Sequence, residues 1–437
     1  MKSTPRYPRR EFLKQGSRWS LGTGLLLASP NLFLNHTRAQ TGESPSELVR
    51  VGIIGTGGQG RSNMMTPTMV KHVVALCDVD TTRLAEAQKR LKEKTGLEAK
   101  PYADYRRLLE DKEIDAVLIA TPDHWHTLPA IHACQAGKDL YVEKPLTLSI
   151  HEGLALVKAA RHYQRIVQTG SQQRSWPDEK FRRACEYVRS GRLGEVKMIR
   201  VGLPGVNWTK EPPVPDSEPP RELNYDFWLG PAPSRPYNKH RVHYYFRFFW
   251  DYSGGQMTNW GAHHLDIAQW GLGMDESGPV EISARAEFDE QKRYEVPTWS
   301  EITYLYANGT RIICGQSHRI GTTFEGQDGL IYVDRGKLES TVKGAIEEPL
   351  GQDEVRLPVS KDHHQNWFDS IKSRKPPICD VAIGHRSATV CHLGNIAAQT
   401  GQKLKWDPAK QELVGGSVPV KQFAYEYRKP WELPKIG

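Results

Sequence analysis

Apolar and polar positions follow two regimes along this 437-residue chain. Between residues 48 and 168, short runs rich in Val, Ile and Leu alternate with amphipathic stretches. The runs at 48–54, 72–78, 114–120, 139–142 and 166–168 are almost continuously apolar. Strands buried on both faces of a parallel sheet have that character. Helical periodicity fills the intervals at 80–94, 102–109, 127–136 and 150–163. From residue 170 the composition turns to aromatics and prolines. A helix is predicted at 181–190 and a first strand of a new sheet at 196–201. Alternating strands follow at 280–288, 299–307, 310–317 and 329–334, joined by short turns such as Asn308-Gly309. That arrangement predicts an antiparallel sheet. Helices at 364–373 and 384–398 close the chain, with His363 and His364 expected at the surface. The expected architecture is α/β: a doubly wound parallel sheet at 48–168, then an α+β domain with a large, mainly antiparallel sheet at 169–437.

One turn gives the first half a chemical meaning. The first apolar run ends at Gly55, and Gly57 and Gly60 complete a G-x-G-x-x-G spacing. Gly55 permits a tight strand-to-helix turn, Gly57 admits a pyrophosphate close to the backbone, and Gly60 lets the helix pack on the strand. The helix start offers unpaired N–H groups and a positive dipole end to phosphate. Asp78 ends the second run, 18 residues beyond Gly60, where an acid grips the ribose diol of a dinucleotide. These features predict a Rossmann-type domain. Val79 is not basic, which favours NAD, while Arg61 keeps NADP open.

Charge adds one correction to a first impression. The net charge of +8 suggests an anionic partner, but residues 1–39 hold seven basic side chains against Glu11, leaving +2 for the rest. No basic block remains, so nucleic acid is not expected as a partner. Arg9-Arg10 with Phe12-Leu13-Lys14, then a weakly apolar run at 21–34 broken by Pro30, resembles a twin-arginine export signal. The run is too short for a bilayer, which needs about 20 residues, and no stable membrane anchor is expected. A periplasmic location is. Six scattered cysteines without a C-x-x-C pair read as reduced core residues.

Beyond the fourth strand lies Thr121-Pro122-Asp123-His124-Trp125-His126, and beyond the fifth Glu143-Lys144-Pro145. Ligands of open α/β sheets sit past such strand ends. His124 and His126 would share a face if the segment were extended, but no third ligand is evident, so no metal is expected. In the second half, glycines introduce 253–266, where His263 and Asp266 share one face of a helix.

Together, Gly55-x-Gly57-x-x-Gly60, Asp78, Thr121-Pro122 with His126, and above all Glu143-Lys144-Pro145 resemble the Gfo/Idh/MocA family, the group of glucose–fructose oxidoreductase and inositol dehydrogenase. The resemblance covers nearly all of the chain after the leader. It implies cofactor contacts from Gly55, Gly57, Gly58, Gln59, Gly60, Asp78, Thr121, Pro122, His126, Glu143 and Lys144, with Lys144 between nicotinamide and substrate. An ammonium there can hydrogen-bond the reacting carbinol oxygen and stabilise its developing charge. The segment 259–266 resembles the family's D-x-G-x-H-x-x-D element, which makes His263 the general base and its first acid the group that orients it. This chain has Asn259 at that acid's position. An amide stabilises an imidazolium less well than a carboxylate does. Gln172, Arg174, Tyr252, His264 and Asp266 are the candidate substrate contacts, and Trp208, Trp228, Trp250 and Tyr252 are read either as core or as a sugar-stacking surface.

The expected activity is an exported, NAD-dependent oxidoreductase of a sugar, glycoside or cyclitol, with the cofactor tightly bound and homo-oligomers formed through the second-domain sheet. Two alternatives stand beside it: a hydrolase working by transient oxidation and elimination, and a non-catalytic NAD- or sugar-binding module. N-terminal sequencing of protein from the extracytoplasmic fraction is expected to find the mature terminus near Gln40, and an intact Met1 there would refute cleavage.

Overall fold

The structure, a computed structural model, describes residues 48–208, 211–415 and 418–437, so the leader expected at 1–39 lies outside the described residues. Six short strands form the first sheet: β1 Val51–Ile54, β2 Val73–Cys77, β3 Lys100–Tyr102, β4 Ala116–Ile119, β5 Asp139–Val142 and β6 Val167–Thr169. All pairings are parallel, in the order β3-β2-β1-β4-β5-β6. The continuous apolar runs follow from burial of both faces. Val51, Ile53, Ala116, Leu118 and Tyr141 pack into one core, while Ile54, Val117, Ile119, Leu140 and Val142 pack into the other. β3 is an addition to the sequence reading, which took 102–109 as helix throughout. The chain there is a strand, then a helix at Tyr105–Glu110 capped by the Asp104 side chain.

The second sheet has nine strands: β7 Val196–Gly202, β8 Glu281–Glu287, β9 Trp299–Leu305, β10 Arg311–Gly315, β11 Gly321–Gly326, β12 Leu330–Val333, β13 Leu338–Ser340, β14 Leu404–Asp407 and β15 Glu412–Leu413. Their order is β13-β12-β11-β7-β10-β9-β8-β14-β15. Seven of the eight adjacent pairs are antiparallel, and β7 with β10 is the parallel exception. Alternation along β9 buries every second residue and leaves the others half-exposed. The buried face carries helices Lys180–Arg189, Ala262–Leu272 and Val381–Thr400, whose side chains join Ile199, Ile302, Ile312 and Phe324 in one core.

Residues 418–437 run back from this second half onto the first. Gln399 donates to the Gln422 side chain at 2.7 Å and Tyr425 to the Asp251 carbonyl at 2.9 Å, both on the second-domain side. The Gln422 and Phe423 carbonyls accept from the N–H groups of Ile150 and His151 at 2.9 and 3.1 Å. Tyr427 donates to Glu152 at 2.5 Å, and the Trp431 ring stacks on Phe227 and edges onto Trp125.

The six cysteines are free and buried, as expected from their apolar settings. His363 and His364 correct the sequence reading: both are about 5% exposed. They open helix His363–Ser373, and their rings edge onto Tyr141 of the first sheet. Burial holds His363 down to about 3 and His364 to about 4. It likewise holds His124 and His264 to about 3 and His385 and His392 to about 4. These rings stay neutral in the fold while the unfolded chain protonates from about pH 6.5 downward. The unfolded state then binds more protons, so stability falls as pH falls. The urea midpoint is expected to drop steeply from pH 6.5 to pH 4; a midpoint unchanged between pH 7 and pH 5 would contradict this.

Candidate active site

A cavity of about 450 Å3 opens at the C-terminal ends of β1, β2, β4 and β5 and is roofed by the second domain. Gly55, the first residue past β1, has φ +89°, which only glycine adopts freely. A Cβ on Gly60 would lie 1.8 Å from the Gly55 carbonyl, so this glycine sits behind the cavity wall and lets helix Gly58–Met64 close on β1. A Cβ on Gly57 would meet the Arg83 guanidinium at 2.7 Å, whereas Gly58 faces open space. Backbone N–H groups at the start of this helix therefore border the cavity. Gln59, Asp78, Thr121, Pro122, His126, Glu143, Lys144 and Asn259 complete that part of the wall.

Asp78 accepts from the Thr56 N–H at 2.7 Å and from the Asp80 N–H at 3.0 Å. Burial raises its pKa against those bonds. The Thr121 hydroxyl is buried without a partner. Glu143 is buried and accepts from Asn63 at 2.8 Å, Gln172 at 3.2 Å and Gln59 at 3.3 Å. Glycine-bordered backbone, an acid beyond β2 and an unsatisfied hydroxyl suit a dinucleotide, so these residues fit an NAD-type group.

His124 and His126 do not lie on a strand: residues Asp123–Trp125 form a 3-10 turn, which sends the two rings apart. His126 bridges the carbonyls of Thr121 and Pro145, at 3.0 and 2.8 Å. His124 lies against Trp228 and Tyr252. Among the described residues no group of three or more His, Cys, Asp or Glu could hold a metal ion.

Lys144 reaches across to the second domain. Its Nζ donates to the Asn259 carbonyl at 3.0 Å and to the Asn259 side-chain oxygen at 3.1 Å. Burial pulls its pKa down; Glu143 and Asp123 oppose that, and Arg247 and Arg335 reinforce it. Asn259 sits in a π-helical turn, Met257–Gly261, just before helix Ala262–Leu272. Such turns widen a helix and often mark functional sites. Asn259 thus serves Lys144, not His263 as the sequence reading had it. His263 Nδ1 is buried without a partner, and burial together with the neighbouring Lys144 and Arg335 keeps the ring neutral. It stands one turn past Asn259, outside the cavity wall.

Four candidate substrate contacts are corrected. Arg174 pairs with both oxygens of Asp266, at 2.8 Å each, and with Asp275 at 2.7 and 3.0 Å. Arg174 and Asp266 have side chains 1% exposed, and Asp266 also accepts from Ser387, so both are committed inside the domain. Tyr252 is fully buried against Trp228 and Phe249. His264 is 1% exposed and stacks on Trp260. Gln172 remains near the cavity, its amide spent on Asn63, Tyr141 and Glu143. Trp208 stacks on Tyr294 and belongs with Trp250 to an aromatic core; Trp228 alone of the tryptophans singled out borders the cavity. Three charged neighbours of Lys144 had no spacing signal: Asp123, Arg247 and Arg335. Asp123 alone was findable, because it lies in the segment just beyond β4, four residues past Ile119, where strand ends line the cavity.

Comparison with known proteins agrees with this geometry. The model of the oxidoreductase family, NAD-binding Rossmann fold (GFO_IDH_MocA), matches residues 49–171. That of the oxidoreductase family, C-terminal alpha/beta domain (GFO_IDH_MocA_C2), matches residues 187–433. A myo-inositol 2-dehydrogenase of Thermotoga maritima is 31% identical over 384 residues, covering 84% of this chain and 100% of that protein. An uncharacterized oxidoreductase, ORF334, of Rhizobium meliloti is 34% identical over 191 residues, 42% of this chain and 54% of its own length. A glycosyl hydrolase family 109 protein of Solibacter usitatus is 31% identical over 166 residues, 36% of this chain and 37% of its own. The chain thus spans about half or less of the latter two relatives. A levoglucosan dehydrogenase structure, with NADH and levoglucosan, shares the fold at TM-score 0.59 and 18% identity, over 82% of this chain and 99% of that one.

Replacing Arg174 by Gln tests its removal from the substrate contacts. Leaving Asp266 without its partner in the interior is expected to cost about 3–5 kcal/mol of unfolding free energy. The KM of the protein that remains folded should stay unchanged; an unaltered urea midpoint with a raised KM would restore Arg174 to the substrate.

Proposed function

The chain belongs to the Gfo/Idh/MocA oxidoreductase family, and we propose that it transfers hydride between a hydroxyl-bearing carbon of a sugar, glycoside or cyclitol and NAD. The observation that carries this reading is Lys144, a half-buried cation in the wall of the glycine-bordered cavity, fixed by two oxygens of Asn259. Bound NAD supplies the hydride acceptor, and the hydroxyl proton of the substrate must leave to a protein base. Lys144 Nζ would hydrogen-bond the substrate oxygen and stabilise the negative charge that develops on it as its proton leaves. Its lowered pKa eases passage of a proton. His263, neutral, with Nδ1 unpartnered and one turn behind Asn259, would take that proton by way of Lys144 and not directly from the substrate. Asp78 has spare lone pairs for the ribose diol, and its charge disfavours a 2′-phosphate. Arg61, the residue that would favour NADP, is paired with Glu86.

Similarity to family 109 glycosyl hydrolases over the nucleotide half supports a second reading. There the hydroxyl is oxidised only transiently. The ketone acidifies the adjacent C–H, the glycosidic oxygen leaves, water adds, and the hydride returns, so the net reaction is hydrolysis. The twin-arginine pattern supports export, and an exported enzyme must keep its cofactor bound and recycle it. The half-exposed face of the second sheet supports homo-oligomerisation.

Native protein assayed on pyranosides and cyclitols should show bound NADH absorbance and consume an external acceptor; glycoside cleavage without an acceptor selects the hydrolase. A carboxylate beside an ammonium favours its charged form, so Asn259→Asp should move the alkaline limb of the kcat/KM profile to higher pH by about one to three units. Lys144→Met should cut kcat by about 10²–10⁴-fold with NADH binding retained. Full activity in Lys144→Met would end this reading.

A further inference from the structure

Arg335 stands out among the cations near the site. It lies two residues past β12, in the turn to β13. Its guanidinium lies 4.7 Å from the Trp260 ring and 5.5 Å from the Trp176 ring, within cation–π range of both. No carboxylate or other hydrogen-bond partner meets it among the described residues. The other charges of this turn are engaged. Asp334 accepts from Tyr332 and from the N–H groups of Gly336 and Lys337. Arg319 and Lys337 both pair with Glu339.

The position of this unpaired cation matters. Trp260, on which it rests, adjoins Asn259 in sequence and stacks on His264, with His263 at 6.3 Å between ring centroids. Arg335 acts electrostatically on Lys144 and on His263. Arg247 forms a second such group in the cavity wall, over Tyr244 at 4.1 Å and donating to the Tyr244 carbonyl, again without an ion pair among the described residues. Against Lys144, Arg247 and Arg335 stand Asp123 and Glu143. Ser253 hydrogen-bonds Asp123, and three amides occupy Glu143. Positive charge is therefore in excess around the reacting position, and an oxidised nicotinamide ring would add to it. Arg335 is exposed, so its planar fork of donors is open to a ligand, and such a fork matches an oxyanion.

We infer that the substrate is an acidic sugar, whose anionic substituent is bound by Arg335 between Trp176 and Trp260 while its reacting hydroxyl lies at Lys144. This rests on the hydride-transfer reading for the reacting end and specifies the other end of the same ligand. A carboxylate at the sugar's terminal carbon and a sulfate ester there present the same chemistry.

The full chain can be tested with matched methyl glycosides of gluco, galacto and manno configuration, each neutral, as the uronate, and as the 6-sulfate. Binding is read from tryptophan fluorescence, to which Trp176 and Trp260 contribute, and NADH binding is titrated separately. In at least one configuration an anionic member should bind about ten-fold or more tightly than its neutral counterpart. The better of the uronate and sulfate arms identifies the substituent. Arg335→Gln should bring that ratio close to one, and Arg335→Lys should restore part of it, with NADH affinity unchanged in both. Equal or absent binding of neutral and anionic members in every configuration overturns the inference, as does a preference that survives Arg335→Gln. Loss of NADH binding in the unaltered chain would instead strike the hydride-transfer reading and leave the ratio legible.

Discussion

A single ammonium at the seam of two domains sets the terms for this site. Lys144 comes from the end of β5, and both of its oxygen partners belong to Asn259 in the second domain. Neither partner carries a charge. A carboxylate in that place would hold the ammonium charged, whereas an amide fixes its position and leaves burial free to lower its pKa. Position is thus separated from charge state. The nucleotide half delivers the cation, the π-helical turn delivers the oxygens, and the two halves must stay in register for the pair to exist.

Two ways of treating guanidinium groups occur within this domain. Arg174 is sealed inside and met by Asp266 and Asp275, with Ser387 adding a donor to Asp266. Such a cluster satisfies every charge it contains, and breaking it costs more than forming it returned. Arg335 and Arg247 rest on aromatic rings and, among the described residues, form no ion pair with a carboxylate. Rings supply shape and a weak attraction, but they do not discharge a cation.

Much of the first half was legible because its strands are buried on both sides and announce themselves as apolar runs. The glycines, Asp78 and Glu143-Lys144-Pro145 fall where strands end, and strand ends line the cavity. The second half was harder to read. Of its nine strands, β11 and β13 to β15 escaped notice: Gly321–Gly326 is polar and glycine-bounded, and the others are two to four residues long. His363 and His364 looked exposed because a histidine pair is polar, yet the Thr169 carbonyl and the Ser175 hydroxyl satisfy His363 inside the fold. Arg174 looked like a ligand for hydroxyls because its two carboxylates lie about 100 residues away in sequence. Arg335 could not be foreseen, since the tryptophans that frame it come from two other segments.

The tail at 418–437 has a mechanical consequence. It is bonded to Asp251 and Gln399 on one side and to the Ile150–His162 helix on the other, with Trp431 lying beside Trp125 and Phe227 of the cavity wall. Any hinge-like gaping of the cleft must stretch or peel this strap. The tail therefore ties the two walls of the cleft together at a second place, besides the bonds from Lys144 to Asn259.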